Sequence, residues 1–97
     1  MFARVSVYEG SPDARGEAET RFREAIARIR ESPGLVDAYF LLGTESDRAI
    51  TITLWEDHAA MAASRVVASR LRSEAAAAAG VEVLSVEEFE VLATESD

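Results

Sequence analysis

Arg4, Ser6 and Tyr8 stand two residues apart, as do Thr51, Thr53 and Trp55, and in extended chain that spacing sends each trio to one face. If the two segments lie side by side with those faces together, they form a surface of one guanidinium, four hydroxyl groups and an indole. Rings to stack on, a cation and hydroxyls that orient suit a planar aromatic or oxygenated ligand. The competing reading is that these groups satisfy one another in an interior, with threonine chosen for its strand propensity. Trp55 sits where a strand hands over to a helix, a position from which an indole can wall a pocket or plug a core. Met61, one helical turn further on, is either core or an adaptable ligand contact.

The chain is poor in other chemical equipment. It has no cysteine, lysine, asparagine or glutamine, and all ten of its cations are arginine. That excludes disulfides, thiolate nucleophiles and Cys-ligated metals. The single histidine, His58, falls in the first turn of the helix after Trp55, where a charged imidazolium opposes the helix dipole. Glu87, Glu88 and Glu90 resemble a carboxylate cluster, but alternation sends Glu87 to the opposite face and no histidine stands near, so no metal site is expected. Ser6, Ser64 and Ser85 lack an evident histidine base for nucleophilic catalysis. Arg65 and Arg70 read as surface cations.

Ninety-seven residues with a net charge of −8 make one domain, 1–97, whose last residues 93–97 form a frayed acidic tail. Nucleic acid and anionic membranes, which attract basic surfaces, are not expected partners. The absence of a leader-like start and of a long apolar run points to a cytoplasmic protein.

The positioning elements follow from periodicity. Phe2 to Tyr8 alternates as a strand and stops at Glu9-Gly10-Ser11-Pro12-Asp13. Ala18, Phe22, Ala25, Ile26 and Ile29 make the apolar stripe of a helix whose exposed face carries Glu17/Arg21, Glu19/Arg23 and Glu24/Arg28. Ser32-Pro33-Gly34 ends that helix, Leu35 to Leu42 is a second strand, and a polar connection over 43–48 leads into the third, Ala49 to Trp55. A second helix runs from Asp57, its N-cap, to Ala79, with Gly80 at C′; Met61, Ser64, Val67, Ala68, Leu71, Ala75 and Ala78 form its inward stripe, and Ser64 to Val67 is a place to bend. A final strand spans Val81 to Leu92.

The order β-α-β-β-α-β is the split βαβ arrangement: an α+β, ferredoxin-like fold with a four-stranded antiparallel sheet, its first and third strands central, and two helices on one face. Ala3, Val5, Val7 and Ile50, Ile52, Leu54 then give the central strands a wholly aliphatic opposite face that no helix covers. A second copy packed sheet to sheet is the economical cover, with an overlong last strand available to pair with the partner's edge.

Met1-Phe2-Ala3-Arg4-Val5-Ser6-Val7-Tyr8, Ser32-Pro33-Gly34-Leu35, Ile52-Thr53-Leu54-Trp55-Glu56 with Ala60-Met61, and Val83-Leu84-Ser85-Val86 together resemble the antibiotic biosynthesis monooxygenase-like family of the dimeric α+β barrel superfamily. The resemblance implies a homodimer and a ligand site between sheet and helices. It also implies a cofactor-independent oxidoreductase acting on an aromatic or polyketide-like molecule, with dioxygen attacking the substrate's own carbanion. Of the family's asparagine, tryptophan and arginine, Trp55 matches; Ser6 takes the place of the first-strand asparagine and Arg4 supplies a cation, so Trp55, Arg4 and Ser6 are the implied catalytic set. Tyr8, Thr51, Thr53 and Met61 would bind ligand. Haem-degrading relatives use a helix histidine as iron ligand, but His58 lies earlier than that position, so no cofactor is expected. Two alternatives share the fold: a non-catalytic ligand-binding or stress-associated dimer using the same cavity, and a structural or interaction dimer with no ligand, in which Trp55 is core.

Overall fold

A computed structural model of the chain describes residues 1–10 and 15–93; Ser11, Pro12 and Asp13 of the expected turn and the last four residues of the acidic tail lie outside the described residues. Four strands and three helices follow in the order β1 (Phe2–Glu9), α1 (Arg15–Ile29), β2 (Leu35–Leu42), β3 (Arg48–Trp55), α2 (His58–Ala63), α3 (Arg65–Ala79) and β4 (Glu82–Glu90). The strands form one antiparallel sheet in the order β2-β3-β1-β4, so β1 and β3 are central, and the arrangement is ferredoxin-like.

The register sets the faces. Ser6 pairs with Thr51, Arg4 with Thr53 and Phe2 with Trp55, bringing the two trios together on the side that the helices cover. Val5 with Ile52 and Val7 with Ile50 hold the opposite side, which Tyr39 and Leu41 extend across β2. Nothing in the described chain packs on that side: Tyr39, Leu41 and Phe89 are each nearly half exposed.

Three corrections to the sequence reading concern local geometry. The second helix is two helices, because the chain breaks at Ser64. Its Oγ donates to the carbonyl of Met61 at 2.7 Å, and that same carbonyl accepts from the Arg4 Nη2 at 2.9 Å; side-chain donors competing for a helix carbonyl are a recognised cause of a bend. Secondly, β4 ends at Glu90 rather than Leu92, and all nine of its residues lie along β1 across one irregularity at Val7/Tyr8. It is therefore not the overlong strand expected. Thirdly, Ala76 and Ala79 turn inward where Ala78 was expected: after Ala68, Leu71 and Ala75, which are buried as expected, the 3.6-residue repeat continues to Ala79. The expected caps are in place: Asp57 Oδ1 accepts from the Ala60 amide at 2.8 Å, and Gly80 takes the left-handed conformation, φ 72°, that glycine adopts without strain.

Two buried clusters fill the space between sheet and helices. One gathers Tyr8, Phe22, Ala49, Ala75, Ala76 and Ala79; the other gathers Trp55, Met61, Ile29, Ala68 and Leu71. The aromatic rings of the first are layered, Phe22 lying 4.6 Å from Tyr8 and stacked on Phe40 at 4.9 Å.

Candidate functional site

A cavity of about 50 Å³ opens between the sheet and the α1–α3 pair. Its sheet side is polar, made by Arg4, Ser6, Tyr8, Thr51 and Thr53, and its helix side is apolar apart from Arg72. Five residues named from strand alternation thus converge on one space. Trp55 and Met61 do not line it: both are buried in the adjoining cluster, where the indole N–H donates to Thr53 Oγ1 at 3.0 Å. Trp55 bears on the cavity through Arg4 and Thr53.

Tyr8 is 1 % exposed, and its phenol shares a hydrogen bond of 2.9 Å with Thr51 Oγ1. Burial pushes the phenol pKa above its ordinary value, so Tyr8 is a neutral donor or acceptor at physiological pH rather than a base.

The two arginines differ. Arg4, on β1, is 4 % exposed and every part of its fork is engaged: Nε and Nη2 donate to Glu88 Oε2 at 3.3 and 3.0 Å, Nη1 to Ser64 Oγ at 3.1 Å and Nη2 to the Met61 carbonyl. Its Cζ lies 5.7 Å from the centre of the Trp55 ring, within cation–π range. Glu88 also takes Arg65, at 2.6 and 3.1 Å. Those Arg65 bonds, with Arg4 behind them, hold the Glu88 carboxyl down at about 2. Arg72, by contrast, is half-buried at the cavity and has no ion pair among the described residues. Burial lowers its pKa, partly offset by the Tyr8 side chain. The cavity thus holds one cation already matched by a carboxylate and one that is not.

Arg72 was not singled out in the sequence, and Glu88 and Arg65, weighed there as part of a carboxylate cluster and as a surface cation, were not recognised as a pair that meets Arg4. Arg72 carried a usable signal: the residues four before and three, four and seven after it are Ala68, Ala75, Ala76 and Ala79, all buried, which puts an arginine on the inward stripe. For Glu88, strand alternation gave the face but not its partner on a strand 84 residues away.

Residues 1–66 match the family model described as antibiotic biosynthesis monooxygenase. The chain belongs to that family. Among solved structures, SnoaB, a cofactor-independent oxygenase of Streptomyces nogalater, is 23 % identical, with a TM-score of 0.73 over 99 % of this chain and 97 % of its own. MhuD, a haem degrader of Mycobacterium tuberculosis whose structure has two haems in its active site, is also 23 % identical, with a TM-score of 0.74 over 99 % and 100 %. Rv0793 of the same organism is 15 % identical, with a TM-score of 0.75 over 98 % of each chain. At these identities the likeness establishes the fold. No curated protein matches the sequence. Among the described residues no helix is long and apolar enough to cross a membrane, and no group of histidine and carboxylate side chains is placed to hold a metal ion.

Proposed function

We propose that this member of the family binds a small aromatic or polyketide-like molecule between the sheet and α1/α3 and oxygenates it without a cofactor. The observation that carries the reading is Arg72, a cation without a carboxylate at the edge of a cavity lined otherwise by hydroxyls and apolar side chains. Such a site favours a flat ligand with one acidic oxygen, because a guanidinium in a partly desolvated site holds an oxyanion far better than it would in water.

The lining contains no carboxylate and no histidine, and its phenol is held neutral. A substrate there must supply its own acidity, as an enolisable polyphenol does. Its enolate, held by Arg72 and oriented by Ser6, Tyr8 and Thr51, gives an electron pair to dioxygen; the resulting hydroperoxide loses water, so that a CH₂ group and O₂ become a carbonyl and H₂O. Arg4 and Trp55 serve this scheme by shape, as the rigid end of the site. At about 50 Å³ the cavity holds one or two waters, so ligand entry includes an outward movement of α1 from α3.

The residues do not fit a haem. His58, the one histidine, is exposed at the start of α2 with its ring edge-on to Phe2 at 5.4 Å, and it does not reach the cavity. The bare sheet face supports a homodimer packed through Val5, Val7, Ile50 and Ile52; light scattering at micromolar concentration should give twice 10.5 kDa.

Oxygen uptake with an anthrone as substrate tests the catalytic reading. The wild-type protein should consume O₂ above the spontaneous rate, and Arg72→Met should lose about tenfold or more in kcat/KM. If the wild type binds the anthrone, as Trp55 emission or calorimetry would register, and does not speed oxygen uptake, the ligand-binding dimer is the better account.

A further inference from the structure

A groove between α1 and the edge strand β2 is larger than the helix-covered cavity, at about 470 Å³, a volume in the range of small-molecule sites. Its floor is apolar: Ile26 from α1, and Phe40 and Leu42 from the helix-facing side of β2. Its rim is basic. Arg15, Glu19, Arg23, Ile26 and Arg30 follow one another at four, four, three and four residues, the spacing of a single helical stripe, and this stripe faces β2. Three arginines against one glutamate stand out on a chain whose net charge is −8.

These cations are not consumed by the fold. Arg23 meets Glu19 at 3.6 Å with both side chains more than half exposed, a pairing that solvent and salt readily replace. Among the described residues neither Arg15 nor Arg30 makes an ion pair: Arg15 donates to the carbonyl of Gly43 at 3.0 Å, and Arg30 only helps to lower the Asp37 carboxyl from a distance. Ile26 also lines the inner cavity, and Phe40 stacks on Phe22, another lining residue of that cavity. A single side chain and one aromatic pair therefore separate groove from cavity.

We infer that the α1–β2 groove is a docking site for an aromatic acid, with its ring on Ile26, Phe40 and Leu42 and its acidic oxygens on Arg23 and Arg30. The bidentate fork of arginine suits a carboxylate, and the apolar floor suits a ring system too large for the inner cavity of about 50 Å³. The docking step stands on the groove alone. The proposed function enters only in the destination, since displacement of Ile26 would admit the ring to the space beside Arg72.

Calorimetry with anthracene-9-carboxylate, and with anthracene-9-methanol as its uncharged counterpart, tests the site at low salt. Wild-type protein should bind the acid about tenfold more tightly than the alcohol, and added salt should erase the preference. Arg23→Glu with Arg30→Glu should remove it, Arg23→Gln with Arg30→Gln should reduce it, and Arg70→Glu, on the exposed face of α3, should leave it intact. Equal affinity for acid and alcohol, or no binding of the acid up to about 1 mM, overturns the inference. A preference abolished by Arg72→Met and untouched by the Arg23 and Arg30 variants also overturns it, while leaving the proposed inner site standing. So does a shift from dimer to monomer in the Arg23/Arg30 variants, which would give the groove to a second copy of the chain.

Discussion

The two ends of the space beneath the helices are built on opposite principles. At the Trp55 end every polar group is matched: the indole N–H has Thr53, and Arg4 has Glu88, Ser64 and the Met61 carbonyl. At the Tyr8 end the Tyr8 and Thr51 hydroxyls share a bond, and among the described residues Arg72 has no carboxylate partner beside the cavity. Both ends carry an arginine and an aromatic side chain, Arg4 from β1 at one and Arg72 from α3 at the other, so composition alone does not distinguish them. The difference lies in whether a carboxylate from β4 arrives, and under the proposed function it sorts one end as scaffold and the other as receptive site.

The sharpest break of this contrast is Trp55→Ala. A fully buried indole removed from a closed cluster should cost roughly 3–5 kcal/mol, read as a fall in the denaturation midpoint at unchanged m-value. A loss under about 1 kcal/mol would mean that the Trp55 end is as loose as the other.

Next is the acid dependence of the Arg4–Glu88–Arg65 cluster. The Glu88 carboxyl is held at about 2 against an ordinary value of 4.5, so its stabilisation is complete above pH 4.5 and disappears as pH falls toward 2. For a carboxylate about one-quarter exposed, roughly 2 kcal/mol is expected after allowance for water screening. Urea titrations of wild type and Glu88→Gln across that window should converge at low pH and diverge above it; parallel curves would remove the carboxylate from the scaffold.

A smaller effect is expected for Tyr8→Phe, which deletes the hydroxyl shared with Thr51: about 1 kcal/mol, with a larger proportional effect on ligand affinity. The smallest is Arg72→Met. Removing an unmatched, half-buried cation should leave stability within about 0.5 kcal/mol of wild type or raise it slightly, while anthrone turnover falls. An unstable Arg72→Met protein would mean that Arg72 is scaffold after all.

How much of this was legible in the sequence depends on the range of the interaction. The alternation of Phe2–Tyr8 and Ala49–Trp55 predicted the shared face that pairs Ser6 with Thr51 and Arg4 with Thr53, because period two is a local property of extended chain. Asp57 and Gly80 were readable as caps for the same reason. The weak propensity of Ser64 to Val67 hinted at a bend, but the bond that the Ser64 hydroxyl accepts from Arg4, on a strand 60 residues earlier, has no local signature. The cavity's cation was sought in Arg4 because β1 pointed there; that Glu88 neutralises it is a tertiary fact with no local signature. Arg72 drew no notice beside Arg65 and Arg70, which read as surface cations, the usual place for an arginine.

The Arg4 fork also orders events in time. It joins the first strand, the break between α2 and α3, and a carboxylate 84 residues along the chain, so it cannot close until the two outermost strands of the sequence have met. Contacts of that span form late, after local helices and the β2–β3 hairpin. Until then nothing from Arg4 holds the Met61 carbonyl, and a nascent chain lacking β4 should carry a softer corner at Ser64. The stiff end of the site is therefore assembled last and, in native-state amide exchange, its corner should loosen whenever β4 leaves the sheet.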